Sequence, residues 1–381
     1  MNIRRAHCDR GHDDAGCETT TNATMTSSLP QAVMPAQRLG RVAIFQWRLV
    51  WAMICLLLVV DFVWASHVGL SVGAGLNAGI VITMLVLSMI YDRRNRAIAD
   101  MTAATASWVA LMSAGVVLSY LAASCALPLQ DGMMERLDRV IGFDWLAWHN
   151  AMLSWPALSW LLTIIYYSLQ PQAALAIVYL TVSGRTGRIK ELLLLAGVTL
   201  VVTISVSTIW PTLGPCAANG PSIGPCATNS SGDIAYLRDL LALRAGGPWH
   251  FELWAMDGIV TMPSYHTVGA VLLTYAFRGT GLLGYGIATL NAAMLISIPP
   301  IGGHYLVDVI AGAALALGAI AIQRAATRRG VSRIKLGLAR ETFVGRAVDL
   351  ARGSVLKPAR IPAQALAVKS GRLHDARDGG T

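Results

Sequence analysis

Two short polar stretches late in the chain decide how it folds: residues 261–266 read TMPSYH, and residues 302–308 read GGHYLVD. Each stretch interrupts apolar sequence and places a histidine at the mouth of a hydrophobic segment long enough to cross a bilayer. A titratable ring at the edge of a membrane is costly unless something uses or satisfies it. His266 and His304 are therefore the first candidates for functional residues.

The second stretch also contains a carboxylate. Asp308 follows His304 by four residues, and in a helix this spacing places both side chains on one face. A carboxylate that accepts a hydrogen bond from one ring nitrogen fixes the tautomer and leaves the other nitrogen basic. The spacing thus predicts a histidine that is prepared as a base or a nucleophile.

The composition indicates an integral membrane protein. Hydrophobic residues make up 55% of the 381 residues and charged residues 13%, and the mean hydropathy is +0.54. The formal net charge is +9, but Lys and Arg concentrate in short loops and in the C-terminal tail, as the positive-inside rule describes for cytoplasmic segments. This distribution argues against a nucleic-acid partner and favours membrane lipids.

The apolar segments predict an all-α membrane bundle of about eight transmembrane helices, each of about 20 residues. Basic turns after the second and fourth spans are cytoplasmic by the positive-inside rule, so alternation places both termini inside and both histidine stretches outside. We expect Pro171 to kink the fourth span. The predicted spans cover residues 43–66, 69–91, 102–125, 156–182, 192–210, 258–277, 281–298 and 304–324.

The chain divides into four predicted regions. Residues 1–40 are polar and are expected to form a disordered cytoplasmic tail, whereas residues 326–381 form a basic cytoplasmic tail. Residues 41–155 contain the first membrane helices, and residues 156–325 form the membrane domain that carries both histidine stretches. An amphipathic outer surface helix is predicted within residues 127–150, where it either lines a lipid entrance or only covers the bundle.

Two cysteines lie close together in one Gly/Pro-rich loop, Cys216 and Cys226. The topology puts this loop outside the membrane, where disulfides form and persist, so we predict that they pair. Their spacing matches no common zinc ligand set.

The two stretches supply most of what phosphoryl transfer requires: a nucleophile in line, a proton for the leaving oxygen and donors for the equatorial oxygens. His304, oriented by Asp308, would attack phosphorus, and His266 would protonate the leaving group. Ser264 and the backbone N–H groups of the helix that opens near Pro263 would hold phosphate oxygens.

These motifs resemble the type-2 phosphatidic acid phosphatase superfamily, whose signature is Lys-x6-Arg-Pro, Pro-Ser-Gly-His and Ser-Arg-x5-His-x3-Asp. The second element stands here as PSYH at residues 263–266, and the third keeps Ser297, His304 and Asp308. The sequence is most similar to the branch that includes the inositol phosphorylceramide synthases. The resemblance covers residues 165–321.

The resemblance implies a core of about six helices, with His304 as nucleophile, His266 as general acid and Asp308 as the orienting group. It implies no metal and no other cofactor. Two departures stand out: Ile298 occupies the place of the usual arginine, and residues 209–211, IWP, keep only the proline of the first element. The phosphate charge must therefore be met by other groups.

The outer loop that leads into residues 263–266 offers two cations. We expect Arg244 first and Arg238 second to bind phosphate; as an alternative, Arg244 is a loop arginine paired with Asp239 or Glu252. Tyr265, within the PSYH element, also reads as an ordinary interface aromatic. The predicted substrate-binding residues are Ser264, Arg244, Tyr265, Gly303 and Arg238.

We therefore expect an enzyme that acts on a lipid-linked phosphate from the periplasmic side of a bacterial inner membrane. With water as acceptor it is a lipid phosphate or diphosphate phosphatase, and with an alcohol as acceptor it is a head-group phosphotransferase. The sequence favours the phosphatase slightly, because no acceptor pocket that excludes water can be identified. A third hypothesis, motivated by the missing arginine and lysine, is a non-catalytic lipid-binding or transport protein.

Overall fold

The computed structural model describes residues 36–219 and 235–328. The chain divides into two compact units, Met1–Phe45 and Gln46–Thr381. The described part of the first unit is the beginning of helix α1, which starts at Ala36, so residues 36–40 of the predicted tail are helical. The rest of that tail, and the C-terminal tail from residue 329, lie outside the described ranges. All contacts reported below belong to the second unit.

Long apolar helices dominate the fold, as expected for a chain whose backbone polar groups must bond internally within lipid. Within residues 36–219 and 235–328, five helices are long and apolar enough to span a membrane. They are α1 (Ala36–Val68, apolar over Trp47–Val68), α3 (Arg96–Ser124), α8 (Thr186–Ile209), α12 (Leu282–Gly302) and α13 (Leu306–Arg328).

A sixth span is broken. Helices α6 (Pro156–Tyr167) and α7 (Leu169–Val182) qualify together as one apolar span and bend by 43° at the break between them. The break lies one turn before Pro171, because a proline ring displaces the carbonyl four residues earlier and has no N–H to bond it. The predicted kink is confirmed.

The remaining two predicted spans are shorter in the structure. Helix α2 (Gly75–Tyr91) has 17 residues and α11 (Tyr265–Ala276) has 12. The start of the predicted second span is instead strand β1 (Leu70–Gly73), which pairs in parallel with β2 (Trp249–Glu252). The all-α membrane bundle is confirmed, with five or six of the eight predicted spans meeting the length criterion.

Small residues bring the helices of the core close together. Gly115 of α3 lies against Leu200 of α8, and an added Cβ there would overlap that leucine. Buried leucines and alanines continue the contact, including Leu111 and Ala196. Large apolar side chains on the outside of the bundle are exposed, as lipid-facing positions are in a membrane protein; they include Phe62, Met89, Trp160 and Ile322.

Short elements cover one end of the bundle. The predicted surface helix is in fact two helices, α4 (Asp131–Val140) and α5 (Trp145–Leu153). Gly142 breaks the chain between them with φ of +79°, a conformation that favours glycine, and Asp144 then caps α5. Farther along are α9 (Pro215–Asn219), α10 (Ala235–Ala245) and a 3-10 turn (Leu253–Ala255).

Candidate active site

His304 lies in the short connection between α12 and α13. Helix α12 ends at Gly302, and Gly303 turns the chain with left-handed φ and ψ of 64° and 37°, so His304 precedes α13 rather than lying within it. The prediction that His304 and Asp308 share one helix face is therefore wrong in detail. The two side chains nevertheless meet across the helix start, with 3.5 Å between His304 Nδ1 and Asp308 Oδ2.

The tautomer of His304 follows from its other contact. Its Nδ1 lies 3.0 Å from the carbonyl oxygen of Thr261. A carbonyl can only accept, so Nδ1 carries the proton and Nε2 carries a lone pair. The ring is only 5% exposed, and it is therefore held in one orientation with Nε2 as its reactive atom.

Asp308 is fully buried at the first turn of α13. Its Oδ2 accepts the backbone N–H of Tyr305 at 3.1 Å, beside His304 Nδ1. Its Oδ1 has no hydrogen-bond partner among the described residues. The carboxylate thus stabilises the turn that carries His304 and lies beside its protonated nitrogen.

The two histidine stretches adjoin in space. The N–H of Ser264 donates to the carbonyl of Asp308 at 3.0 Å, and Thr261 accepts from His304 as described above. Gly312 of α13 packs directly against the Ser264 carbonyl and Thr267, where any side chain would collide. The ring of His304 and the ring of Tyr166, which stacks on His266, both approach Gly302.

His266 lies in the first turn of α11, and Tyr166 of α6 fixes its ring. The two rings stack with centroids 4.2 Å apart and planes 14° from parallel. The Tyr166 hydroxyl lies 3.4 Å from His266 Nδ1, so Nδ1 is the ring nitrogen that this tyrosine engages. Tyr166 was missed by sequence reasoning, because one tyrosine in an apolar span carries no signal of its own.

Three predicted substrate-binding residues belong to the two stretches. Ser264 is buried and caps α11, its Oγ accepting from Thr267 N–H at 3.4 Å, and it lies beside Asp308. Gly303 immediately precedes the catalytic candidate His304 and gives the turn its left-handed conformation. Tyr265 packs against the helix core, and its hydroxyl donates to the Ala196 carbonyl in the middle of α8 at 2.9 Å; its role in substrate binding stays a prediction.

The two predicted arginines are engaged elsewhere. Arg244 donates to the Leu127 carbonyl at 2.8 Å, at the end of α3, rather than to Asp239 or Glu252. Arg238 is 85% exposed and pairs with Asp239 at 3.4 Å. In residues 36–219 and 235–328, neither guanidinium forms a hydrogen bond with either histidine of the site. Their role in phosphate binding stays a prediction.

Cys216 packs against the site from the loop after α8. It is buried and disulfide-bonded, and its sulfur lies 3.4 Å from the position that a Cβ on Gly303 would occupy. The predicted partner, Cys226, lies outside the described residues, so the pairing of these two cysteines stays a prediction.

Comparison with known families agrees with the motif resemblance. Residues 133–322 match the family model described as the PAP2 superfamily. The matched segment starts inside α4, so it includes the surface helices that the predicted boundary at residue 156 leaves out. No significant match was found to a curated protein or to a solved structure. The chain is therefore a multi-pass membrane protein in which the segment carrying both histidines matches the PAP2 superfamily.

Proposed function

We propose that the protein is a membrane phosphatase that removes phosphate from a lipid phosphate or diphosphate through a phosphohistidine at His304. The observation that carries this proposal is the hydrogen bond from His304 Nδ1 to the Thr261 carbonyl. It fixes the tautomer that leaves Nε2 free to attack. The Asp308 carboxylate at 3.5 Å stabilises the positive charge that the ring gains on phosphorylation.

The reaction has two steps. In the first, His304 Nε2 forms a bond to phosphorus, the bond from phosphorus to the leaving oxygen breaks, and His266 gives that oxygen its proton. In the second, water attacks the phosphohistidine and gives a proton to His266. The P–N bond then breaks and inorganic phosphate leaves.

The start of α11 supplies donors for the phosphate oxygens. The first N–H groups of a helix have no acceptor within it and carry the positive end of its dipole. Since Ser264 N–H already donates to Asp308, the donors left for a phosphate are the Tyr265 and His266 N–H groups. The Ser264 hydroxyl can add a third donor while it accepts from Thr267.

The positive-inside rule supports a periplasmic site. Basic residues cluster at the opposite ends of the helices from the two histidines, in residues 93–96, residues 185–190 and at Arg278. With those turns in the cytoplasm, the connection between α12 and α13 faces outward. A lipid would then reach His304 from the outer leaflet.

Phosphate release from a panel of lipid phosphates in detergent tests the proposal. Parent protein and His304→Ala are compared, with His250→Ala as the matched control because His250 is an exposed histidine of β2 bonded to Ser71. We expect release by the parent and by the His250 variant, and none above background from His304→Ala. Equal phosphate release from all three proteins would refute the proposal that the protein is a phosphatase acting through His304.

A phosphotransferase is the second candidate, and the burial of His304 favours it. With the nucleophile only 5% exposed, water has restricted access to the phosphohistidine, so an alcohol held next to it would compete well. Labelled lipid phosphate is supplied with and without candidate lipid alcohols. A new labelled phosphomonoester of the added alcohol indicates transfer, whereas free phosphate alone in both arms indicates hydrolysis.

A further inference from the structure

One face of the surface helix α4 points into the protein. Asp131 and Asp138 are seven residues apart, which is about two helical turns and therefore the same face. Met134 lies between them and is buried, as Asp138 is. The intervening charged residues Glu135 and Arg136 are exposed. An outer helix that buries one of its acids needs a reason for doing so, since burial of an unpaired charge is costly.

Asp138 caps the start of helix α13. Its two carboxylate oxygens accept the N–H groups of Leu306 and Val307, each at 2.9 Å. These are the first two residues of α13, whose N–H groups have no acceptor within the helix. Burial raises the pKa of Asp138, and the two N–H bonds oppose that rise. The acid of one helix thus holds the first turn of another.

Asp131 holds the other side of the same connection. Its carboxylate accepts the N–H groups of Leu213 and Gly214 at 3.0 Å and the hydroxyl of Tyr305 at 3.2 Å. Burial, followed by the charge of Asp131, raises the pKa of Tyr305, so the phenol stays protonated and donates. Gly214 in turn lies against the carbonyl of Gly303. The acids of α4 therefore hold this connection at two places. Asp138 binds residues 306 and 307, and Asp131 binds Tyr305 and the amide of Gly214, which lies against Gly303.

We infer that Asp138, assisted by Asp131, is a positioning residue for the nucleophile, and that the surface helix α4 acts on the site through these two acids. The inference rests on the proposed function and adds to it a residue outside the histidine motifs. His304 lies within residues 303–307, and Asp308 directly follows Val307, whose N–H Asp138 accepts. Asp138 acts through the position of this turn and does not touch the substrate.

The accuracy with which catalysis requires its groups to be positioned explains why two carboxylates hold this connection. Reacting groups must be held to within about 0.5 Å of their productive geometry, and a misplacement of about 1 Å can cost about 100-fold in rate. The His304–Asp308 contact spans a loop and a helix start, so the helix alone does not fix it. The two bonds from Asp138 fix where α13 begins.

Asp138→Asn and Asp138→Ala test the inference. An asparagine side chain at this position would accept one N–H but present its own NH₂ to the other, and alanine would accept neither. We expect kcat to fall about 10-fold to 100-fold with KM changed by less than about twofold. Glu135→Gln is the matched control, an exposed acid of the same helix paired with Arg139, and should leave both constants unchanged.

A double-mutant cycle separates positioning from general stabilisation. If Asp138 acts through the His304–Asp308 contact, Asp138→Asn costs much less in an Asp308→Asn background than in the parent. Equal losses of kcat in the two backgrounds, or an effect on KM as large as the effect on kcat, would overturn the inference. The proposed phosphatase function would be unaffected by either result.

A measurement without turnover keeps the inference testable even if the proposed function fails. Hydrogen exchange of the amides of residues 305–309 is compared in parent, Asp138→Asn and Glu135→Gln. We expect at least about 10-fold faster exchange in the Asp138 variant alone, because one of the two amides that Asp138 holds loses its acceptor. Unchanged exchange in that variant would contradict the inference that Asp138 holds these amides, whatever reaction the protein catalyses.

Discussion

At the scale of single residues, the site depends on one ring nitrogen being protonated and the other being free. Thr261 and Asp308 both lie on the Nδ1 side of His304. Neither group needs to change place during the reaction, so the site is organised before the substrate arrives, as electrostatic catalysis requires. We expect the site to depend more on Asp308 than on Thr261, because Asp308 also accepts the N–H of Tyr305.

Asp308→Asn should lower kcat by about 100-fold to 10,000-fold, as for other carboxylates that orient a catalytic histidine. The asparagine oxygen can take the place of Oδ2 beside both the Tyr305 N–H and His304 Nδ1, but the negative charge that stabilises the phosphorylated ring is lost. Steady-state phosphate release measures the loss, with Glu252→Gln, an exposed acid of β2, as control. A loss of less than about threefold would show that Asp308 does not orient the ring.

Tyr166 should act on His266 mainly through its ring. Tyr166→Phe keeps the stack and loses only a long hydrogen bond of 3.4 Å, so kcat should fall by roughly threefold. Tyr166→Leu removes the aromatic contact and should lower kcat by roughly tenfold or more. Turnover of both variants is measured on the same lipid phosphate. A reversed order would mean that the hydroxyl, and not the stacked ring, supports His266.

At the scale of elements, α12 ends where it does so that two rings can share a narrow space. A Cβ on Gly302 would lie 2.7 Å from Tyr166 Cε2 and 3.1 Å from His304 Cδ2. The helix therefore brings the ring that supports His266 and the ring of His304 together over a residue that has no side chain. The glycine is required by the close approach and not by its dihedral angles.

Gly302→Ala should destabilise the protein by about 1–3 kcal/mol, as overpacking does, and should also lower kcat because both rings must shift. Gly286→Ala in the same helix is the matched control, because an added Cβ there meets nothing within 4 Å. That change should be neutral or stabilising by about 0.5–1 kcal/mol. Thermal unfolding in detergent, together with turnover, compares the two; equal effects would remove the steric argument.

Sequence spacing predicted which side chains of the site come together better than the elements that carry them. The intervals within PSYH and His-x3-Asp identified His266, His304 and Asp308, because these are local features of the chain. The role of α4 was not predicted, since its contacts with Leu306 and Val307 join residues far apart in sequence. The local signal for this role was two acids seven residues apart, Asp131 and Asp138, with Met134 between them.

At the scale of the whole molecule, hydropathy predicted an all-α bundle but overestimated the lengths of two of its helices, α2 and α11. Residues 70–73 are apolar enough to extend a span, yet they pair with residues 249–252 of the connection before α11. Likewise α11 begins only at Tyr265, because Ser264 caps it and the preceding residues bond to the α12–α13 connection. Both differences arise from distant pairing, which a hydropathy window does not contain.

The orientation of the bundle predicts which thiols an impermeant reagent can reach. Cysteines are placed at exposed Ser154, on the side of the site, and at exposed Ser183, in the basic turn, in a background with Cys8, Cys17, Cys55 and Cys125 replaced by serine. In intact cells or sealed spheroplasts Ser154→Cys should be labelled and Ser183→Cys only after permeabilisation. The opposite pattern would place the site in the cytoplasm.

The central claim is that His304 carries the phosphoryl group. The most direct measurement is rapid quenching with a phosphorus-labelled lipid phosphate, followed by mass spectrometry of the peptide that contains residue 304. We predict an acid-labile phosphate on His304 in the parent protein and none on that peptide in His304→Ala, which should also release no phosphate. Label on another residue, or undiminished phosphate release from His304→Ala, would contradict the account.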